Sequence, residues 1–278
     1  MSAKNLKVGV FVDAVNLTRN GGYGMQYDVL REFAVRDGGE IVRLNAYVAF
    51  DKVRAETDTS YKMRSLDFYA VLRELGFKVI EKHVKWYTDE YGERYGKANS
   101  DMEMALDALM QTEHLDRVLL ATGDGDFTRV VRTLQNRGTR VEVVAFENVS
   151  SSLKREADLF MSGYLIPNLL PTHKGNMSVP EWGEMFSRVR GICYSFNQQK
   201  RFGFFRYLGE IRSNLWVTDS RREDSPYETA FAHESHFPPN IDITGLPNRH
   251  QIFEFELERS DRGIIATDIE VIETEVLD

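Results

Sequence analysis

The chain has 278 residues, 42% hydrophobic and 28% charged, with a formal net charge of −8, a composition expected of a soluble globular protein with one large or two ordinary domains. No apolar run approaches the roughly 18 residues needed to cross a bilayer. Met1 to Lys7 leads into a strand-like run rather than a secretory signal's apolar stretch and cleavage site. A single cysteine, Cys193, excludes an intrachain disulfide and argues against Cys-based zinc, so a reducing cytoplasm is the expected location.

Val8 to Asp13 predicts a short apolar strand ending in an acid, with Asn16 three residues on. A Gly-rich loop, Asn20 to Gly24, precedes an amphipathic helix around 27–36. Ile41 to Phe50 predicts a second strand. Helical spacing from Ser60 to Leu75 is closed by Gly76, placed as a C-cap glycine. Phe77 to Ile80 is a third strand, and residues 85–98, rich in Tyr, Gly and charge, are expected as a loop. Ser100 can cap a helix from Asp101 to Thr112.

Arg117 to Ala121 then forms an apolar strand that ends in Thr122-Gly123-Asp124-Gly125-Asp126, two carboxylates one residue apart, with a helix from Phe127 to Asn136. The two glycines permit a tight turn and close backbone approach. Arg140 to Phe146 is a further strand and Ser151 to Phe160 a last helix. Strands alternating with helices at this spacing predict a doubly wound parallel sheet, with right-handed crossovers putting all strand carboxyl ends on one edge. Ligands of open α/β sheets bind at that edge.

The pattern changes after Leu170. Pro171 to Pro180 reads as a linker. Beyond it come short strand-like pieces, 190–196, 202–207, 215–218, 230–233, 252–257 and 264–272, which predict a small barrel or sandwich. Three segments are expected: a catalytic domain over 1–170, a linker over 171–182 and a barrel domain over 183–278. The acidic surplus lies in residues 181–278, which hold 11 Lys and Arg against 18 Asp and Glu. That balance weighs against tight nucleic-acid binding, whose footprint is usually basic.

Asp13, Asp124 and Asp126 all fall at strand carboxyl ends, and Asp101 opens a helix, so the fold would gather them. Taken singly, each is more simply a helix cap or turn former. Together, carboxylates packed in one crevice repel unless a cation lies between them. Oxygen-only ligands favour Mg²⁺ or Mn²⁺, which can activate water and clamp the oxygens of a phosphoryl displacement. Asn16, with Thr122 or Thr128, is placed to orient water or phosphate. Asp107, about 120° around the helix from Asp101, reads as a helix-face or supporting group.

Val-Phe-Val-Asp-Ala-Val-Asn (10–16), Lys-Ala-Asn-Ser-Asp-Met-Glu-Met-Ala-Leu-Asp-Ala-Leu (97–109) and Thr-Gly-Asp-Gly-Asp-Phe (122–127) together resemble the NYN domain, a PIN-like nuclease superfamily that includes LabA-type proteins. The resemblance spans residues 5–165. It implies a PIN-like fold, an Mg²⁺ or Mn²⁺ site on Asp13, Asp101, Asp124 and Asp126, a supporting role for Asn16, and hydrolysis of RNA phosphodiesters. Asn99-Ser100 departs from the Gly-Val of many relatives while keeping the acid at 101. Arg129, Arg132 and Lys97 lie where they can meet a substrate backbone, although a solvated helix face is as good a reading of each.

Residues 191–205, with Lys200-Arg201-Phe202-Gly203-Phe204-Phe205, and Ala230-Phe-Ala-His-Glu-Ser (230–235) resemble the two nucleic-acid-binding motifs of a cold-shock domain. That resemblance implies an OB-fold on which Phe202, Phe204, Phe231 and His233 stack bases, with Lys200 and Arg201 near the phosphates. Ser195 replaces the family's usual tryptophan, Glu234 stands where an aromatic is common, and 206–229 is a long insertion. Core packing is the competing reading of the rings. The expected function is thus a metal-dependent ribonuclease acting on single-stranded RNA. A non-catalytic RNA-binding or regulatory protein that keeps an acidic metal pocket stands as the alternative. No membrane partner is expected, and a homodimer is compatible with the sequence.

Overall fold

The computed structural model describes residues 6–98, 100–172, 180–239 and 241–274. Its contacts divide the chain into two compact units, Met1–Tyr23 with Gly38–Met161, and Gly24–Asp37 with Ser162–Asp278. Among the described residues no helix is long and apolar enough to cross a membrane.

In chain order the elements up to Ser162 are β1 (Lys7–Asp13), α1 (Ala14–Arg19), α2 (Tyr27–Ala34), β2 (Glu40–Phe50), α3 (Lys52–Thr57), α4 (Thr59–Glu74), β3 (Lys78–His83), β4 (Lys85–Thr88), β5 (Arg94–Lys97), α5 (Ser100–Met110), β6 (Arg117–Ala121), α6 (Thr128–Asn136), β7 (Arg140–Ala145), α7 (Ser151–Glu156) and β8 (Leu159–Ser162). Strands β3-β2-β1-β6-β7-β8 form one sheet, parallel from β3 through β7. β1 and β6 are its central pair. β6 is buried at every residue, as a strand covered on both faces must be, hence the unbroken apolar run in its sequence. Phe11, Leu120, Val131 and Leu134 lie in the core of this unit with Met104 and Ala108 of α5. A parallel order of this kind sends the carboxyl ends of β1 and β6 to the same edge, side by side.

Three aspartates start helices on this framework. Asp13 accepts the backbone N–H of Asn16 at 2.9 Å, Asp51 that of Arg54 at 3.1 Å and Asp58 that of Tyr61 at 2.8 Å. The helix expected at 60–75 is present and ends at Gly76, whose φ is 90°.

Three expectations need correction. Residues 85–98 are not all loop, because β4 and β5 pair as an antiparallel hairpin. Asp89 closes its turn by accepting the N–H groups of Tyr91 at 2.9 Å and Glu93 at 2.8 Å. The expected helix Ser151 to Phe160 stops at Glu156. Asp158 then exchanges hydrogen bonds with Val141, donating its own N–H at 2.9 Å and accepting at 2.7 Å, which draws the chain in as a sixth strand. No strand forms over Leu215–Thr218. Leu215 and Val217 are buried there by irregular backbone. Residues 173–179 of the expected linker lie outside the described residues.

The remaining strands are β9 (Arg188–Asn197), β10 (Phe202–Leu208), β11 (Tyr227–His233), β12 (Asn248–Ser260) and β13 (Gly263–Thr274). They close into a five-stranded barrel in the order β10-β11-β13-β12-β9, with β11 and β13 parallel. Counted along the chain this is 1-2-3-5-4, the Greek-key order of the OB-fold. Phe205, Phe253, Phe255, Val189 and Cys193 fill it. Burial pushes the Cys193 thiol up to about 12, so it behaves as a small apolar group.

A charged cluster sits inside the second unit. Glu254, fully buried, accepts from Nε of Arg188 and Nε of Arg190, each at 2.8 Å. Arg188 also reaches Asp268 at 2.8 Å. Arg190 donates to the carbonyls of Leu170 at 3.2 Å and Pro171 at 2.7 Å, and Gln26 N–H donates to the Leu169 carbonyl at 2.8 Å. These bonds explain why 24–37 and 162–172 fall in the same compact unit as the barrel strands. The two guanidinium groups hold the Glu254 carboxyl below its usual range. Glu254→Gln, which leaves two buried cations short of their anion, is expected to destabilise the protein by roughly 3–5 kcal/mol in urea unfolding. A loss under about 1 kcal/mol, the range of an exposed pair, would mean that the cluster is hydrated.

Candidate active site

At the end of β1 the chain turns straight into α1, so Asp13 serves at once as the last strand residue and the helix cap. It is 2% exposed. Burial pushes its carboxyl up from 3.8 to about 6, the charges of Asp101 and Asp124 push the same way, and backbone N–H groups of Asn16 and Val15 pull it back. The charges of two segments far away in sequence, the first turn of α5 and the turn after β6, are therefore felt at the end of β1.

Asn16 ties two of these together. Its backbone N–H goes to Asp13 and its side-chain oxygen accepts the N–H of Gly123 at 2.9 Å. The turn carrying Asp124 is thereby held against α1. Asp124 caps a single 3₁₀ turn, Gly125–Phe127, accepting the N–H of Asp126 at 2.9 Å. Asp126 is exposed at this turn, while Asp124 is half-buried. The charges acting on Asp13 are those of Asp101 and Asp124, so Asp126 stands at the rim. Gly125 is needed for space: a Cβ there would stand 2.7 Å from the Ser150 hydroxyl oxygen.

Around the acidic turn lies a group of hydroxyls. Thr128 donates to the Gly125 carbonyl at 2.6 Å and lies 3.1 Å from the Ser152 hydroxyl, which is 2.8 Å from that of Ser150. Thr122 accepts the Asp124 N–H at 3.3 Å. Of these, sequence reasoning reached Thr122 and Thr128. The signal for Ser150 and Ser152 is the run of three serines that opens the helix following the strand next to β6.

Residues 7–167 match the NYN domain. The chain belongs to the NYN-domain family. That family is PIN-like and its nucleases generally use divalent metals. The chain is also similar to the low amplitude and bright protein LabA of Synechococcus elongatus, 27% identical over a 168-residue alignment that covers 58% of this chain and 86% of that protein. A crystal structure of a protein of unknown function from Vibrio parahaemolyticus is similar over 58% of this chain and 95% of its own, at 25% identity and a TM-score of 0.45.

The acids of the NYN crevice suit a divalent cation in their chemistry: oxygen donors alone, with Asp13 raised first by burial and then by the charges of Asp101 and Asp124. Among the described residues no three Asp, Glu, His or Cys side chains stand ready as a metal cage. Asp107 belongs elsewhere. It accepts the Tyr47 hydroxyl at 2.7 Å, and burial, then this bond, raises the Tyr47 phenol. Of the basic groups near the NYN edge, Arg129 is exposed on the first turn of α6. Arg132 is held by Glu156 at 2.6 Å, and the side chain of Lys97 lies outside the described residues.

On the barrel, Phe202, Phe204 and Phe231 form one half-buried patch with centroids 5.4–6.0 Å apart. Register sets Phe204 against Phe231 and Phe202 against His233. These rings are separate from the barrel's core cluster. Gly203 between them admits the neighbouring strand, since a Cβ there would stand 2.5 Å from the Ser195 carbonyl oxygen. Lys200 is exposed, whereas Arg201 is paired with Glu234. His233 is exposed and its Nδ1 accepts the N–H of Ser235 at 3.2 Å. Sequence reading missed Arg206, which continues the alternation of 202 and 204 and lies 5.7 Å from the Tyr194 ring and 5.3 Å from the Tyr227 ring.

The raised Asp13 gives a pH test. Moving its carboxyl from 3.8 to about 6 is on the order of 3 kcal/mol of preference for the protonated form. Below pH 4 both folded and unfolded chains hold that proton. Between 4 and 6 only the unfolded chain ionises freely, so this contribution is lost as pH rises and is absent above 6. Asp13→Asn, which keeps the capping oxygen, should therefore raise Tm at pH 8 in chelator and leave it nearly unchanged at pH 4. Equal shifts at both pH values would contradict the assignment.

Proposed function

We propose that the chain is a ribonuclease that hydrolyses phosphodiester bonds of single-stranded RNA and holds the strand on its barrel. The carrying observation is that the charges of Asp101 and Asp124, from two distant segments, act on the buried Asp13. Asp13, Asp101 and Asp124, with Asp126 at the rim, would hold Mg²⁺ or Mn²⁺, which when bound supplies Lewis acidity and neutralises charge on the phosphodiester.

The chain's own groups do the rest. Asn16 fixes Gly123 and with it the orientation of Asp124. The hydroxyls of Thr128, Ser150 and Ser152 offer donors beside the acids, suited to a phosphate oxygen or a water. Arg129, exposed one turn on, supplies positive charge for the backbone without reading the sequence. Hydrolysis then needs a proton taken from water. A carboxylate of this cluster left free of the cation would take that proton. In the barrel, Phe202, Phe204 and Phe231 stack bases, with His233 and Lys200 at the margin and Arg201 shared with Glu234. A cytoplasmic location accords with the unpaired thiol of Cys193.

Wild-type protein with Mn²⁺ should cleave single-stranded RNA, and Asp124→Asn should reduce cleavage to background while retaining the fold. Equal inactivity of both proteins with undiminished RNA binding would favour a non-catalytic RNA-binding role. For the barrel, Phe202→Ala with Phe204→Ala should weaken single-strand affinity by roughly 1–3 kcal/mol per lost stack in a fluorescence anisotropy titration. Unchanged affinity in the folded variant would remove the barrel face from the reading.

A further inference from the structure

The β4–β5 hairpin is absent from the reading above. Its eight strand residues, Lys85-Trp86-Tyr87-Thr88 and Arg94-Tyr95-Gly96-Lys97, comprise three cations and three aromatic residues, and the acids of the hairpin, Asp89, Glu90 and Glu93, are confined to the turn. Trp86 pairs with Gly96 in register and Tyr87 with Tyr95. Alternation puts the tyrosines on one face and Trp86 on the other.

Both faces are exposed, Trp86 at 42% included, and what distinguishes the Trp86 face is its anchor to the body. The Trp86 indole N–H donates to Asp51 at 3.3 Å, a carboxylate 7% exposed at the start of α3. The Arg94 guanidinium lies 5.6 Å from the Trp86 ring. A Cβ at Gly96 would stand 2.8 Å from a Val84 methyl, so a side chain larger than glycine's would crowd that residue. Strands of four residues are too short to persist unaided, and the Trp86 anchor holds them to the body. The opposite face is open. Tyr87 is 46% and Tyr95 51% exposed, with rings stacked at 5.7 Å and 26°.

The hairpin also has a direction. β5 runs by way of residues 98 and 99 into α5, and Asp101 is four residues beyond Lys97, a Cα separation of at most about 14 Å. We propose that this hairpin guides single-stranded RNA toward the acidic crevice. A base stacks on the Tyr87–Tyr95 pair and Lys85 meets the adjoining phosphate. The destination of the strand rests on the nuclease reading; the stacking itself does not. Because every base has a π-face, such a platform adds affinity without choosing a sequence.

The test is anisotropy of fluorescein-labelled oligouridylate on the full chain, with Phe202→Ala and Phe204→Ala present throughout to silence the barrel face. Tyr87→Ala with Tyr95→Ala should weaken affinity at least ten-fold, and Tyr87→Phe with Tyr95→Phe should restore it. Unchanged affinity in the alanine variant, or no RNA binding by its parent, overturns the proposal. Unchanged affinity together with a lower solution mass assigns the face to self-association instead. RNA carrying 4-thiouridine, photocross-linked to the wild type, should mark the peptide 85–97, and a cross-link map lacking it overturns the proposal even where the alanine variant unfolds. Cleavage is read on the same samples. Ring-dependent binding without cleavage by the wild type keeps the hairpin and rejects the nuclease reading, while cleavage with ring-independent binding does the reverse.

Discussion

The crevice is governed by the burial of the Asp13 carboxylate, to which the charges of Asp101 and Asp124 add. Asp13 is nearly sealed from solvent, yet it faces Asp101 and Asp124. A fold does not normally accumulate such a site, because each buried carboxylate is destabilising unless it is protonated or compensated. Two features keep it in place. Backbone N–H groups of α1 stabilise the Asp13 anion, and Asn16 locks the Asp124 turn to the same helix. The crevice is thus built by hydrogen bonds strong enough to hold charges that oppose it, a pattern characteristic of functional sites.

The barrel shows the opposite solution to buried charge. Glu254 lies between two arginines, and Arg190 extends the cluster to the carbonyls of Leu170 and Pro171. Every partner is compensated, so this cluster acts as a structural joint within its unit. The rings of Phe202, Phe204 and Phe231 are distinct from the phenylalanines that fill the barrel. One strand thus presents two aromatic populations, Phe205 and Tyr207 inward, Phe202 and Phe204 outward, separated by the pleat.

Much of this was legible in the sequence where a pattern is local. β1 and β6 were readable as apolar runs because they are covered on both faces. Asp13 and Asp124 were readable because a strand end followed at once by a helix leaves few other places for an acid. The β4–β5 hairpin was not, because its strands are four residues long and carry charge and glycine, the usual marks of a loop. β8 was missed for a similar reason: four residues after a short helix continue the helical spacing, and only the long-range exchange between Asp158 and Val141 reveals the strand. The Arg188–Glu254–Arg190 cluster depends on register between β9 and β12, which no single-strand pattern encodes. The pairing of Arg201 with Glu234 is likewise a cross-element contact, and it takes up a charge that sequence reading had reserved for phosphate.

The central claim is that Asp13, Asp101 and Asp124 share one electrostatically coupled pocket suited to a divalent cation. Calorimetric titration of Mn²⁺ into the full chain, repeated in buffers of different ionisation enthalpy, tests it most directly because it counts protons released on binding. With the Asp13 carboxyl at about 6, binding should release about half a proton at pH 6 and almost none at pH 8, and Asp13→Asn should abolish the release. Saturable binding with no proton release at pH 6, or release unaffected by Asp13→Asn, would contradict the account.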